Sequence, residues 1–287
     1  MLDSSKNGSV EADIQYLLRD PKRKNEKLFY RYFDEYPDME KTNTAGDLRQ
    51  VTIRNARHVH LSASDMFSQF AFAKFPLSVP LSPEEYYDSS KVKEGYYPKC
   101  IELVRSLYPD AARIEVQEHG TRKRDPSFPN PEKERHQYSK LQPSDYTHID
   151  WTVSSAEKAG IKTFGDEVSQ YRRLVAINIW QPIRGPVQDW PLALLDRRTI
   201  DYPTQSVVQD VIADNFEQEI LRIYYDPGHE WYYWEELRDD EAIVFVQSDS
   251  DVPNIAGVLH TAFKDSRVGE DVQRRESVEV RVFVYFD

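Results

Sequence analysis

Arg275-Glu276-Ser277-Val278-Glu279-Val280-Arg281-Val282-Phe283-Val284-Tyr285-Phe286 is the stretch on which the fold turns. In an extended chain, side chains two positions apart share a face. One face therefore carries Arg275, Ser277, Glu279, Arg281, Phe283 and Tyr285, and the other carries Val278, Val280, Val282, Val284 and Phe286. The valine face needs a second layer to cover it. The first face can look into the mouth of a barrel, where Arg275 can grip a carboxylate through two N–H groups and Ser277 can add a hydroxyl donor. Arg274 points to the wrong face. Arg281 has the right facing but sits three pleats deeper, which makes it the alternative anchor. The plain alternative is surface ion pairing of these arginines with Glu276 and Glu279.

Working back from this strand, further short β-rich runs are predicted at Leu174–Trp180, Leu192–Leu195, Glu219–Tyr225, Trp231–Trp234 and Ala242–Gln247. Turn residues separate them, and helical signals become scarce after Asp150. Such a series argues for a sandwich or barrel, and a jelly roll accommodates a metal site in its mouth. Earlier in the chain, Asp65–Phe75 and Tyr96–Leu107 read as helices, the second ending before Tyr108-Pro109, and Arg113–Gln117 alternates as a half-buried strand. Residues 121–144 carry four prolines and few apolar side chains, and so read as a long exposed loop. Residues 1–50 read as an N-terminal extension with short strands near Ala12–Leu17 and Lys27–Tyr32. Residues 51–287 then form a single domain, mainly β with flanking helices (α+β), with helices mostly before 110 and a β core over about 111–287.

His148-Ile149-Asp150 can present an imidazole and a carboxylate to one ion from the same face of an extended segment. A lone His-x-Asp pair is weak evidence, because it arises often by chance. One more histidine gives two His and one carboxylate, which leaves open positions on a metal that prefers six ligands, as in non-heme Fe(II) oxygenases. His229 and His260 are the candidates. His229 follows the turn Asp226-Pro227-Gly228 and can cap or stack there, whereas His260 lies fifteen positions before Arg275 on a spacing that suits neighbouring strands, so spacing favours His260. His58-Val59-His60 is a rival pair with no convincing acid partner.

Composition limits the remaining possibilities. A formal net charge of -12 disfavours nucleic acid and anionic membranes as partners. One cysteine, Cys100, leaves no intramolecular bridge, and no apolar run is long enough to span a membrane, so a cytoplasmic protein is expected, as a monomer or homodimer. Aromatic residues make up 13 %, with 18 tyrosines, and they suit both a β core and an apolar ligand pocket.

With these residues assembled, the chain from about 110 to 287 resembles the iron(II)/2-oxoglutarate-dependent oxygenases grouped with fungal and bacterial gibberellin desaturases, the aspergillic-acid-pathway hydroxylase/desaturase and the cephamycin 7α-methoxylation component. The resemblance rests on five stretches: His148-Ile149-Asp150; Asn178-Ile179-Trp180-Gln181-Pro182-Ile183 with Gly185-Pro186-Val187 and Pro191-Leu192-Ala193; His229-Glu230-Trp231-Tyr232-Tyr233; His260-Thr261-Ala262-Phe263; and Arg275 to Arg281. It implies a distorted double-stranded β-helix (jelly roll, cupin-like), with Fe(II) held by His148, Asp150 and His260. It also implies 2-oxoglutarate anchored by Arg275 with help from Ser277, and O2 as the second cosubstrate. Asn178 is expected to contribute to cofactor binding, and Trp180, Trp231 and Tyr233 to line a pocket for a small-molecule substrate. The implied reaction hydroxylates, desaturates or cyclises a secondary-metabolite or amino-acid-derived substrate, releasing succinate and CO2. One departure stands out: Gln181 follows the Asn-x-Trp element where many relatives carry arginine, which argues against a role for that position in binding an acidic group. Two rival readings use the same residues, a zinc-dependent hydrolase and a non-catalytic jelly-roll module that binds a small ligand.

Overall fold

The computed structural model describes residues 8–31, 40–129, 142–213, 216–252, 257–269 and 271–287. In chain order the elements are β1 (Val10–Leu17), β2 (Leu28–Arg31), β3 (Gly46–Asn55), α1 (Ala63–Phe70), β4 (Phe72–Pro76), α2 (Ser89–Gly95), α3 (Tyr97–Leu107), β5 (Arg113–Lys123) and α4 (Val153–Phe164). They continue with β6 (Arg173–Pro182), β7 (Leu192–Leu195), α5 (Tyr202–Gln205), β8 (Ser206–Ala213), β9 (Phe216–Ile223), β10 (Trp231–Tyr233), β11 (Glu241–Asp249), β12 (His260–Ala262) and β13 (Glu276–Phe286).

The alternating stretch becomes β13, near the middle of a five-stranded sheet of order β4-β11-β6-β13-β5. Its Val278, Val280, Val282 and Val284 are fully buried and cluster with Val92 of α2 and Cys100 and Val104 of α3, so the early helices cover the outside of this sheet. Burying each such side chain stabilises the fold by about 1.5–3 kcal/mol, an upper figure for a compact unfolded chain. A second sheet has the order β1-β3-β10-β7-β12, and β2, β8 and β9 form a third.

Local chemistry explains where the structure departs from the sequence reading. The helix expected over Asp65–Phe75 stops at Phe70, because Ala71 adopts a left-handed backbone (φ 62°), and Phe72–Pro76 becomes β4, paired with β11. Helix α4 follows Asp150 where helical signals were scarce. Thr152 caps it by accepting from Ser155 N–H (3.1 Å), and Gly160 permits its close approach to β13, since a Cβ there would fall 2.5 Å from the Tyr285 hydroxyl. Strand β5 runs on to Lys123, past the expected loop start at 121, because Arg122 and Lys123 pair with Ser277 and Glu276. Residues 130–141 of that loop lie outside the described residues. The expected boundary at residue 50 falls inside β3, whose partner through all eight residues of β1 is antiparallel, so Val10–Leu17 is part of the second sheet.

Candidate active site

His148 and Asp150 lie between the strands of two sheets. His148 exchanges backbone hydrogen bonds with His260 at the start of β12 (3.2 and 3.0 Å), and Ile149 does the same with Leu221 of β9 (2.9 and 3.0 Å). The segment is therefore clamped on both edges. One ligand atom from each of His148, Asp150 and His260 lies within 4.8 Å of the others, and all three residues are buried. Among the described residues this is the one such group. His58 and His60 are exposed. His229 is turned elsewhere: its ring stacks on Tyr16, its Nε2 meets Gln205 Oε1 at 3.1 Å, and burial pushes its pKa down to about 4.

The surroundings dictate which atoms face the shared point. A carbonyl can only accept, so Nδ1–H of His148 donates to Tyr146 O (2.9 Å) and that of His260 to Val258 O (3.4 Å). Each ring thereby keeps its Nε2 lone pair for a ligand. Burial, with His148 alongside, pushes His260 down to about 3, so it is neutral near pH 7. The two oxygens of Asp150 are also differentiated. Oδ2 accepts from Asn178 Nδ2 (2.8 Å) and Arg281 Nε (3.0 Å), while Oδ1 lies 3.2 Å from His148 Nε2. Burial alone would raise the Asp150 carboxyl, but the Arg281 guanidinium outweighs it and holds the pKa well below the usual carboxylate range. Two imidazole nitrogens and one carboxylate oxygen on one side of a point make up the donor set of a ferrous facial triad, so these residues fit the metal.

Gln247 was not legible in the sequence. It sits where the β11–β6 register shifts, a bulge that leaves it unpaired and aims its side chain inward, so that its Oε1 accepts from Asp150 N–H (2.7 Å) and its Nε2 donates to Val258 O (3.2 Å). Gly257 makes this possible, because a Cβ there would lie 2.1 Å from Gln247 O. From β9, Gln218 donates to the Asp150 carbonyl and Arg222 Nε to the Thr147 carbonyl (2.8 Å). No periodicity marks such long-range hydrogen bonds.

Along the inward face of β13 the ladder pairs Arg281 with Asn178, Glu279 with Trp180 and Ser277 with Pro182. Arg281 is occupied at the triad, where it is paired with Asp150, Glu118 and Glu279. Arg275 is different. It is 3 % exposed, its Nε donates to Ser277 Oγ (3.2 Å) and its Nη1 to Trp190 O (2.7 Å), and it lies 4.9 Å from the Trp180 ring centroid. Among the described residues it forms no ion pair, and burial, with Arg122 nearby, pushes its pKa down to about 9. Its backbone N–H is held by Asp189 (2.8 Å). Trp180 shares the inward face and has a buried Nε1–H without a partner.

Trp231 and Tyr233, expected in the pocket, lie on the other side of the second sheet from the triad. Trp231 pairs with Leu195 whereas His260 pairs with Leu194, so Trp231 and Tyr233 project from the opposite face of the second sheet from His260. Their polar atoms are satisfied there by the Tyr16 hydroxyl (2.6 Å) and Gly8 O (2.6 Å). Gln181 faces the helices, donating to Leu77 O (2.8 Å) and Asp239 O, so the missing arginine leaves no gap at the triad.

Residues 14–285 match the family model described as oxidoreductase/YMDC permease-like domain. The chain is 30% identical over 208 residues to the alpha-ketoglutarate-dependent dioxygenase phiK of a fungal species, covering 70% of this chain and 73% of phiK. It is 27% identical to the Fe(II)/2-oxoglutarate-dependent dioxygenase nvfI of Aspergillus novofumigatus, over 96% of each. The chain belongs to this fungal family of Fe(II)/2-oxoglutarate-dependent dioxygenases. A solved structure of the iron and alpha-ketoglutarate-dependent endoperoxidase NvfI superposes on the dioxygenase with a TM-score of 0.80 at 23% identity, covering 97% of this chain and 98% of that one. The dioxygenase therefore has the double-stranded β-helix fold, with the third sheet and the outer helices added to it. Fe(II), 2-oxoglutarate and O2 are the cofactor and cosubstrates of the family, and its substrates are small molecules.

Proposed function

We propose that His148, Asp150 and His260 hold Fe(II), and that Arg275, assisted by Ser277, receives the distal carboxylate of 2-oxoglutarate beside Trp180. The substrate on this reading is a small secondary metabolite or amino-acid derivative that is hydroxylated, desaturated or cyclised. Bound Fe(II) supplies the coupling of 2-oxoglutarate oxidation, to succinate and CO2, with hydrogen abstraction from a substrate C–H bond. The chain's own residues orient and exclude. Asn178 and Arg281 fix Asp150 so that one oxygen faces the metal, Gln247 fixes its backbone, and the carbonyls of Tyr146 and Val258 fix the histidine tautomers.

The observation that carries the reading is the convergence of three ligand atoms within 4.8 Å, with a buried arginine on the same inward face of the sheet that has no ion pair among the described residues. A buried guanidinium lacking a carboxylate is costly, and a dicarboxylate cosubstrate removes that cost. A zinc hydrolase would leave Arg275 without a task. We further propose a cytoplasmic monomer or homodimer. Its single cysteine, Cys100, is free and buried, and no helix among the described residues is long and apolar enough to cross a membrane. The test is anaerobic titration of purified protein with Fe(II) and 2-oxoglutarate. A weak visible charge-transfer band is expected, with succinate formed once air is admitted, and absence of the band from folded protein overturns the reading.

A further inference from the structure

A cavity of about 300 Å³ lies against the triad segment, walled by β5, residues 142–146 and the third sheet. In a chain of net charge -12, the charged lining among the described residues is Arg122, Arg222 and Asp145, two cations to one anion. Arg222 is 6 % exposed, and every partner it has among the described residues is neutral: Thr147 O (2.8 Å), Gln209 Oε1 (2.9 Å) and the Tyr146 ring (4.8 Å to its centroid). Burial pushes its pKa down to about 10. Asp145 also feels Arg222 electrostatically, yet the two form no ion pair within 4.0 Å among the described residues. Ser144 adds a buried hydroxyl with no partner. The rest of the wall includes apolar surface from Phe128, Val211 and Ile220. A concave site with an apolar body and a few convergent polar groups is built to orient a small molecule.

The cavity and the metal site share a wall. The Tyr146 ring lines the cavity and lies 4.8 Å from the His148 ring, while the Tyr146 carbonyl holds His148 Nδ1–H. Arg275 is not part of the lining, and although Arg122 lies near enough to act on it electrostatically, Arg222 is distinct from the proposed cosubstrate anchor.

We propose that this cavity is the substrate pocket and that the substrate is a small, largely apolar molecule bearing a carboxylate, gripped by Arg222 with Arg122 at the wall. Its role as the substrate pocket rests on the reading that the triad holds the iron. The carboxylate supplies the contact ion pair that Arg222 lacks among the described residues, and Ser144 Oγ–H adds a donor. Held by that end, the molecule has its apolar body beside Tyr146, whose ring borders that of His148.

The experiment measures binding of 2-naphthoate and its neutral isostere 2-naphthamide to metal-free protein by ligand-observed NMR. The acid should bind at least tenfold more tightly than the amide. Arg222→Gln should abolish that preference, while Arg222→Lys, which keeps the charge and guards against misfolding as the cause, should retain part of it. Arg122→Gln should reduce it. Mn(II) added at the triad should broaden the resonances of bound naphthoate. Failure of the acid to bind, equal binding of acid and amide, or an unchanged preference in Arg222→Gln overturns the proposal. So does displacement by 2-oxoglutarate, which would assign the arginines to the cosubstrate, or sharp naphthoate resonances with Mn(II) bound. Because the binding comparison needs neither iron nor cosubstrate, its failure leaves the charge-transfer test untouched, and failure of that test leaves this comparison untouched.

Discussion

At Arg281 the inward face of β13 carries a cation paired with Asp150, Glu118 and Glu279, whereas at the other end of the same face Arg275 is buried against Ser277, the Trp190 carbonyl and the Trp180 ring with no ion pair among the described residues. Sequence alternation makes the two arginines equivalent. The tertiary structure does not. Burial works against the charge at both, but at Arg281 the surrounding carboxylates outweigh it and the pKa rises, while at Arg275 nothing does and it falls to about 9. On the proposed reading the neutralised cation orients a metal ligand, and the unneutralised one receives an anion from outside the chain.

The most severe way to probe this contrast is to remove the triad it serves. His148→Ala or Asp150→Ala should abolish the Fe(II)–2-oxoglutarate absorption band and turnover, and retention of the band in either would detach these residues from the metal. Arg275→Ala should next weaken 2-oxoglutarate binding by about 2–3 kcal/mol, a loss of roughly 30- to 150-fold in Kd with Fe(II) affinity little changed. An unaltered Kd would move the anchor to Arg281. Arg281→Gln is the complementary variant. Freeing Asp150 Oδ2 should lower Fe(II) affinity by about 10- to 100-fold, as for other residues that orient a ligand, and should also destabilise the fold because buried carboxylates lose their cation. If instead only 2-oxoglutarate affinity fell, the two arginines would have exchanged roles. The smallest effect is expected on the far face of the second sheet: Trp231→Phe removes the hydrogen bond to Tyr16 and should lower stability by about 1 kcal/mol while both affinities stay unchanged. A changed Fe(II) or 2-oxoglutarate affinity there would return Trp231 to the pocket.

Legibility in the sequence followed the range of the interaction. The period-two pattern of β13 announced both of its faces, and β6, β7, β10 and β11 were visible as apolar runs because each is buried over most of its length. Helix α4 was missed because its interior, Ser154-Ser155-Ala156-Glu157-Lys158-Ala159-Gly160, presents small residues to β13 rather than a broad apolar stripe. The aromatic cluster Trp231 to Trp234 signalled burial without signalling which side. Only the pairing of β10 and β12 with β7 shows that Trp231 and His260 leave the sheet in opposite directions. Gln247 and Arg222 left no local trace, since one depends on a bulge and the other on a strand of a different sheet.

By itself the sequence determined the residue types able to bind a metal, the two faces of β13 and the layer needed to cover its valines, because these follow from side-chain chemistry and from the two-residue repeat of an extended chain. The tertiary structure decided which histidine joins His148 and Asp150, which arginine is neutralised, and where a cavity holding Arg122 and Arg222 opens at Tyr146. Those outcomes depend on strand register and on the burial of charge among residues far apart in the chain, and neither quantity exists until the sheets have paired.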